Sequence, residues 1–173
     1  MFENGYTRIA HFAGYSSVSI GKERCLGYKD ALAEKEIEIK PEWIIEGGFE
    51  IMDGYYAFME LYNSKSLPEI IFTANDRVAF GVYKAVREKG LKIPDDIGIL
   101  AYGFNETAQN FSPTLSIIDQ NPRKIGNTAA NLLIKMIKNP EVKRNENIIL
   151  EEEFIWNNSI IKVNLENRSK LSE

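Results

Sequence analysis

Hydrophobic and polar positions follow two rhythms along this chain, and the switches between them mark its elements. Short apolar runs, rich in β-branched residues, have the unbroken hydrophobicity of strands covered on both faces: Arg8-Ile9-Ala10-His11-Phe12-Ala13, Trp43-Ile44-Ile45, Ile70-Ile71-Phe72-Thr73, Ile97 to Tyr102, and Leu115 to Ile118. Between them, apolar residues recur at helical spacing. Cys25, Tyr28 and Leu32 share a face in a helix that Ser19 can cap and that runs to about Lys35. Tyr55, Phe58, Met59 and Tyr62 share one in a helix from Ile51. The clearest face is Ile125, Ala129, Leu132, Leu133, Met136 and Ile137, in a helix expected over Pro122 to Lys138, with proline at its first position and Asn139-Pro140 as its stop. Ile148 to Trp156 reads as a last strand, and the polar chain beyond Asn158 as a frayed tail.

The stretch from Glu69 to Asn105 ties these elements into a topology. The third strand stops at Ala74-Asn75-Asp76, where Asn75 or Asp76 can accept the orphan N–H bonds of the next helix. That helix places Val78, Val82, Ala85 and Val86 on one face and ends at Gly90. Ile93-Pro94-Asp95-Asp96 is turn chemistry before the fourth strand. Strand, helix, strand in about thirty residues is a βαβ crossover, so the strands are expected to be parallel and the connection right-handed. The class is α/β: a doubly wound, mostly parallel sheet flanked by helices. Ligands in such sheets sit beyond the carboxyl ends of the strands.

Composition narrows the chemistry. A net charge of −4 argues against a nucleic-acid module within the chain, because phosphate binding needs concentrated Lys and Arg. The single cysteine, Cys25, forbids an intrachain disulfide, fits a reducing, cytoplasmic setting and reads as a small buried hydrophobe. No apolar run approaches membrane-spanning length. Phosphate-binding loops, dinucleotide fingerprints and nucleophile elbows are missing, so no enzyme and no cofactor is expected. His11, the only histidine, lies inside a strand next to Phe12 and reads as packed rather than catalytic, and one histidine with one cysteine makes a poor zinc site. Glu151-Glu152-Glu153 reads as a solvated strand edge.

Three strand-end residues carry ligand chemistry. Arg24, just past the first strand, offers a bidentate fork to hydroxyls or a carboxylate. Phe49 follows the second strand and can stack on a ring. Asn75 follows the third and supplies both donor and acceptor. An arginine, an aromatic platform and an amide suit a small polar ligand. The same residues also admit a structural reading, Phe49 as core and Asn75 as a cap.

At these positions the chain resembles the effector-binding core of LacI/GalR-family transcriptional regulators, whose fold is similar to that of periplasmic sugar-binding proteins. The resemblance rests on an ordered series spanning residues 2 to 159: Gly5-Tyr6-Thr7-Arg8-Ile9-Ala10, Glu23-Arg24-Cys25-Leu26-Gly27-Tyr28, Glu46-Gly47-Gly48-Phe49, Phe72-Thr73-Ala74-Asn75-Asp76 with Ala79-Phe80-Gly81, Gly90-Leu91-Lys92-Ile93-Pro94-Asp95-Asp96-Ile97, Ser112-Pro113-Thr114-Leu115-Ser116, and Asp119-Gln120-Asn121-Pro122. It implies effector-binding roles for Arg24, Phe49 and Asn75. Gly103 stands where many members carry an aspartate, and Asn105 or Glu106 would reach in instead; Ile20 likewise replaces a small polar contact.

The resemblance also implies an organisation. Residues 1–118 with 148–159 would form the C-terminal effector-binding subdomain, 119–147 a hinge and crossover helix packing on an N-terminal subdomain outside this chain, and 160–173 a tail. The helix end read at Met1 to Gly5 would belong to that missing half. Family members dimerise through the helix after the Asn-Asp corner, which points to Phe80 and Tyr83. The implied partners are a small polar, sugar-like effector, a second copy, and operator DNA bound only through a helix-turn-helix outside this chain. The competing reading is an extracytoplasmic sugar- or solute-binding protein serving a transporter.

Overall fold

Alternation along the first strand decides which helices cover which face of the sheet. In β1 (Ile9–Ala13), Ile9 and His11 face α1 (Ser19–Glu34), where Tyr28 and Leu32 are buried against them. Ala10 and Phe12 point the other way, into the larger core beneath α2 (Ile51–Asn63) and α3 (Asp76–Glu88). The computed structural model describes residues 5–139 and 147–161.

Its remaining strands are β2 (Ile44–Glu46), β3 (Ile70–Thr73), β4 (Gly98–Gly103), β5 (Ser116–Asp119) and β6 (Glu153–Ile155), with α4 (Asn105–Ala108) and α5 (Pro122–Lys138) between the last three. The sheet runs β2-β1-β3-β4-β5-β6. The first five strands are parallel and β6 is antiparallel to β5. The central strands β1 and β3 are buried along their whole length, as their continuous hydrophobicity requires.

The two faces are covered unequally. On one, α2 and α3 pack so closely that a Cβ at Gly54 would lie 2.0 Å from the Val78 carbonyl oxygen, and one at Gly81 only 1.8 Å from that of Ile51. Phe58, Leu61, Val82, Ala85, Ile97, Ile99 and Leu115 are sealed beneath them. Each large apolar side chain buried this way stabilises the fold by roughly 1.5–3 kcal/mol. On the other face α1 covers only the β1–β3 side, and Tyr102, Ile118, Phe154 and Trp156 on the far strands stay partly exposed.

Local sequence signals fix most boundaries. Asn75 caps α3, its side chain accepting from Val78 N at 2.8 Å, and Gly90 ends the turn with φ 71°. Glu50 and Asp53 form a reciprocal capping box on α2. Helix α5 runs from Pro122 to Lys138 as its signals predict, with Asn121 as its cap.

Several expectations need correction. Ser19 is already helical and Val18 holds the N-cap position without a side-chain bond, because no hydroxyl precedes the helix at that point. Residues Pro41–Trp43 form a 3₁₀ turn, so β2 starts one residue later than Trp43. The polar stretch after Asn105 opens with the short helix α4. The last strand keeps only three residues of the expected Ile148 to Trp156, since Ser116, the next residue of β5, bonds Asn157 N through its hydroxyl and Ser159 Oγ through its N–H instead of continuing the ladder. The chain beyond Asn158 does not fray at once. Ser159 is fully buried, donating to the Ile99 carbonyl at 2.5 Å and accepting from Ser116 N at 2.7 Å, and Ile160 enters the α1-side core. Cys25 is half-buried rather than buried. In α2 the deepest residues are Gly54, Ala57, Phe58 and Leu61; Tyr55, Met59 and Tyr62 pack only on the margin.

No residue of α5 is buried, and its apolar face stays largely open: Ile125 is 50%, Leu133 58% and Ile137 70% exposed. The helix end at Met1 to Asn4, hinge residues 145–146 and tail residues 162–173 lie outside the described residues. Among the described residues no helix is long and apolar enough to cross a membrane.

Candidate functional site

The open half of the α1-side face is a cavity of about 780 Å³. Its floor is Tyr28, Phe72, Tyr102 and Ile118, and Arg24 and Glu152 bring charge to its walls. Arg24 sits in the second turn of α1, which carries the guanidinium back across the sheet. Its Nη1 donates to the Ala74 carbonyl at 2.6 Å, at the carboxyl end of β3, and its Cζ lies 4.3 Å over the centre of the Tyr102 ring. The Tyr102 hydroxyl donates in turn to Glu152 Oε2 at 3.1 Å. Arginine, phenol and carboxylate thus form one chain across β4.

The electrostatics follow from this stacking. Partial burial pulls the Arg24 pKa down, and Tyr102 and Glu152 act against that pull. Tyr102 is pushed up to about 12, first by burial and then by the Glu152 carboxylate, so its proton stays on as a hydrogen-bond donor. Beneath the floor, His11 is stacked between Tyr28 and Phe72, with ring centres 5.1 and 4.9 Å away. Its Nδ1 donates to the Phe72 carbonyl at 2.9 Å, which leaves Nε2 buried without a hydrogen-bond partner among the described residues. Burial lowers the His11 pKa to about 4. It is the packed histidine its place in the strand predicts.

The other candidates lie apart from this cavity. Phe49 and Asn75 come together: Asn75 Nδ2 donates to the Phe49 carbonyl at 2.9 Å while Oδ1 caps α3. The Phe49 ring leans edge-on to Tyr15 and lies over Gly14, where a Cβ would fall 2.1 Å from it. Asn105 and Glu106 are exposed on α4; Asn105 accepts from Gln109, and Glu106 is 3.7 Å from Arg123. Gly103 is buried, and a Cβ there would press on Asp76 and Ile117 at 3.3 and 3.4 Å.

Tyr102, Gln120 and Glu152 are among the cavity residues that escaped the sequence reading. Tyr102 could have been found from its place at the carboxyl end of a buried strand. Glu152 could not, because only the return of the chain beside β5 brings it to Tyr102.

Residues 1–160 match the family described as a periplasmic binding protein-like domain. The chain is 34% identical over 163 residues to the ribose operon repressor of Haemophilus influenzae, covering 92% of this chain and 48% of that protein. Among solved structures, it is similar to the lac repressor dimer bound to operator and an anti-inducer, with 27% identity, a TM-score of 0.83, and coverage of 92% of this chain and 55% of that one. A regulator in complex with cellobiose, CelR, is 26% identical with a TM-score of 0.83, over 91% of this chain and 48% of its own. The chain spans about half the length of the curated relatives it matches. By its strand order, its helical layers and these matches, the chain belongs to the periplasmic-binding-protein-like family, as an effector-binding domain of the LacI/GalR kind.

Proposed function

We propose that this chain is the ligand-sensing part of a cytoplasmic transcriptional regulator and that a small, sugar-like effector binds beside Arg24. The observation that carries this reading is the half-buried Arg24 guanidinium, held over Tyr102 at the wall of a 780 Å³ cavity. Only one of its N–H groups bonds to a described residue, so the remaining donors face a ligand. Phe49, Asn75, Asn105 and Glu106, at the carboxyl ends of β2, β3 and β4, supply the outer contacts when a second subdomain closes over them. The open face of α5 and the half-length match to the relatives support that second subdomain as the partner of α5. Effector binding then shifts the closure equilibrium and, through it, the spacing of DNA-binding heads outside this chain.

The same reading takes Phe80 and Tyr83 to a dimer interface. Phe80 is 51% exposed on α3, the Tyr83 hydroxyl donates to the Pro113 carbonyl at 2.9 Å, and both rings meet Phe111 edge-on beside a groove of about 530 Å³. The repressor names of the relatives favour regulation over solute capture for a transporter. A thermal-shift comparison of the protein and Arg24→Ala with D-ribose, cellobiose and related sugars tests the site. Stabilisation of the parent that Arg24→Ala loses supports it; an equal shift in both refutes it.

A further inference from the structure

Within the proposed effector site, the charge that selects the ligand is as much negative as positive. Arg24 and Lys124 bring two positive charges to the cavity, and Glu23, Glu151 and Glu152 bring three negative ones. Arg24 is already committed on two sides, bonded to the Ala74 carbonyl and stacked on Tyr102. Glu152 is the carboxylate drawn onto the sheet: the Tyr102 hydroxyl occupies Oε2, and Oε1 makes no hydrogen bond to a described residue. At this end of β4 Gly103 has no side chain, and neither Asp76, which packs against it, nor Glu106 on α4 lines the cavity.

We infer that Glu152, oriented by the Tyr102 hydroxyl, is the acceptor that reads ligand hydroxyls and that it makes the site select neutral polyhydroxylated ligands over phosphorylated or carboxylated ones. A carboxylate accepts from two adjacent hydroxyls as readily as arginine donates to two acceptors, so Arg24 and Glu152 together fit the alternating donors and acceptors of a sugar ring. An anionic group placed between them gains Arg24 but shares the cavity with Glu152, Glu151 and Glu23, and the like charges set against it outnumber its partners. Tyr102 is a positioning residue: its ring carries Arg24 and its hydroxyl holds Glu152, so it sets the distance between donor and acceptor.

The inference rests on the site reading, and one experiment separates the two. Binding of D-ribose, D-glucose, cellobiose, D-ribose 5-phosphate and D-gluconate is followed by thermal shift and by backbone-amide NMR titration at constant ionic strength. The protein, Glu152→Gln, Tyr102→Phe and Arg24→Ala are compared. The parent is expected to bind a neutral sugar at least tenfold tighter than its anionic counterpart. Glu152→Gln, which keeps shape and loses charge, weakens the neutral sugar about tenfold and narrows or reverses the preference. Tyr102→Phe gives a smaller loss in the same direction, and Arg24→Ala abolishes binding of both classes. If Glu152→Gln binds every probe as the parent does while Arg24→Ala binds none, the site stands and the role of Glu152 falls. A parent that prefers the anionic probes overturns the inference outright. Absence of any perturbation by any probe, even at tens of millimolar, overturns the site reading and this inference with it.

Discussion

The side chain of Asn75 joins two neighbouring elements, bonding the Phe49 carbonyl through Nδ2 at 2.9 Å and the first turn of α3 through Oδ1 at 2.8 Å. The two ends of one amide therefore set the distance between the Phe49 ring and the helix that follows β3. Asn75→Asp keeps the acceptor and loses the donor, whereas Asn75→Ala loses both. Asn75→Ala is expected to cost about 2 kcal/mol and Asn75→Asp about 1 kcal/mol, read from urea unfolding midpoints. Equal losses would mean that the cap on α3 contributes nothing, and an unchanged Asn75→Asp that the Phe49 bond contributes nothing.

The glycines of α2 and α3 are steric necessities. Gly81→Ala drives a methyl group into the Ile51 carbonyl, and the expected loss is about 3 kcal/mol or more. Gly126→Ala in α5 meets open space, and by helix propensity it leaves the unfolding midpoint equal or higher. Denaturant titration of the two variants side by side checks the contrast.

Stability depends on pH through His11. Its folded pKa, about 4, lies below the ordinary value of 6.5, so the folded state resists the proton that the unfolded chain takes up. The associated stability is fully present above pH 6.5 and is lost as pH falls toward 4. The gap of two to three pH units corresponds to about 3 kcal/mol. His11→Phe is expected to flatten the stability profile between pH 6.5 and 4.5 relative to the parent, a difference that cancels the carboxylate titrations common to both.

The α5 face contributes little to the stability of this chain. Leu133→Lys with Ile137→Lys replaces residues 58% and 70% exposed, and the urea midpoint is expected to change by no more than about 0.5 kcal/mol. Sedimentation of parent and variant at high concentration then reads association through this face separately from folding. A large loss of stability would show that α5 is held by contacts to the domain.

Ser159 carries more than its place near the chain end suggests. Ser159→Ala leaves the buried Ser116 N–H and the Ile99 carbonyl each short of a partner, and the expected cost is about 2 kcal/mol, measured by urea unfolding.

What the sequence made legible was whatever local spacing encodes. The bounds of α5, the Asn75 cap, the Gly90 stop and the apolar runs of β1 and β3 all express rules that act within a few residues. The chain after Asn147 obeys a different logic. The three-residue length of β6, the burial of Ser159 and the meeting of Glu152 with Tyr102 are set by pairings with β4 and β5, more than 30 residues earlier. Arg24 stood out as a candidate ligand arginine by residue type and position. Its stacking on Tyr102 was not, because a helix residue and a strand residue meet only after the sheet forms.

The unequal roofing of the sheet has a thermodynamic consequence. On the α1 side the chain folds with Phe72, Tyr102 and Ile118 lining open space where a second layer would ordinarily lie. A molecule lodged there shields surface that the polypeptide itself leaves wet, so it acts toward this domain as a missing helix would. Recognition and the completion of folding become one equilibrium, in which each tenfold rise in saturating ligand adds about 1.4 kcal/mol to the free energy of unfolding.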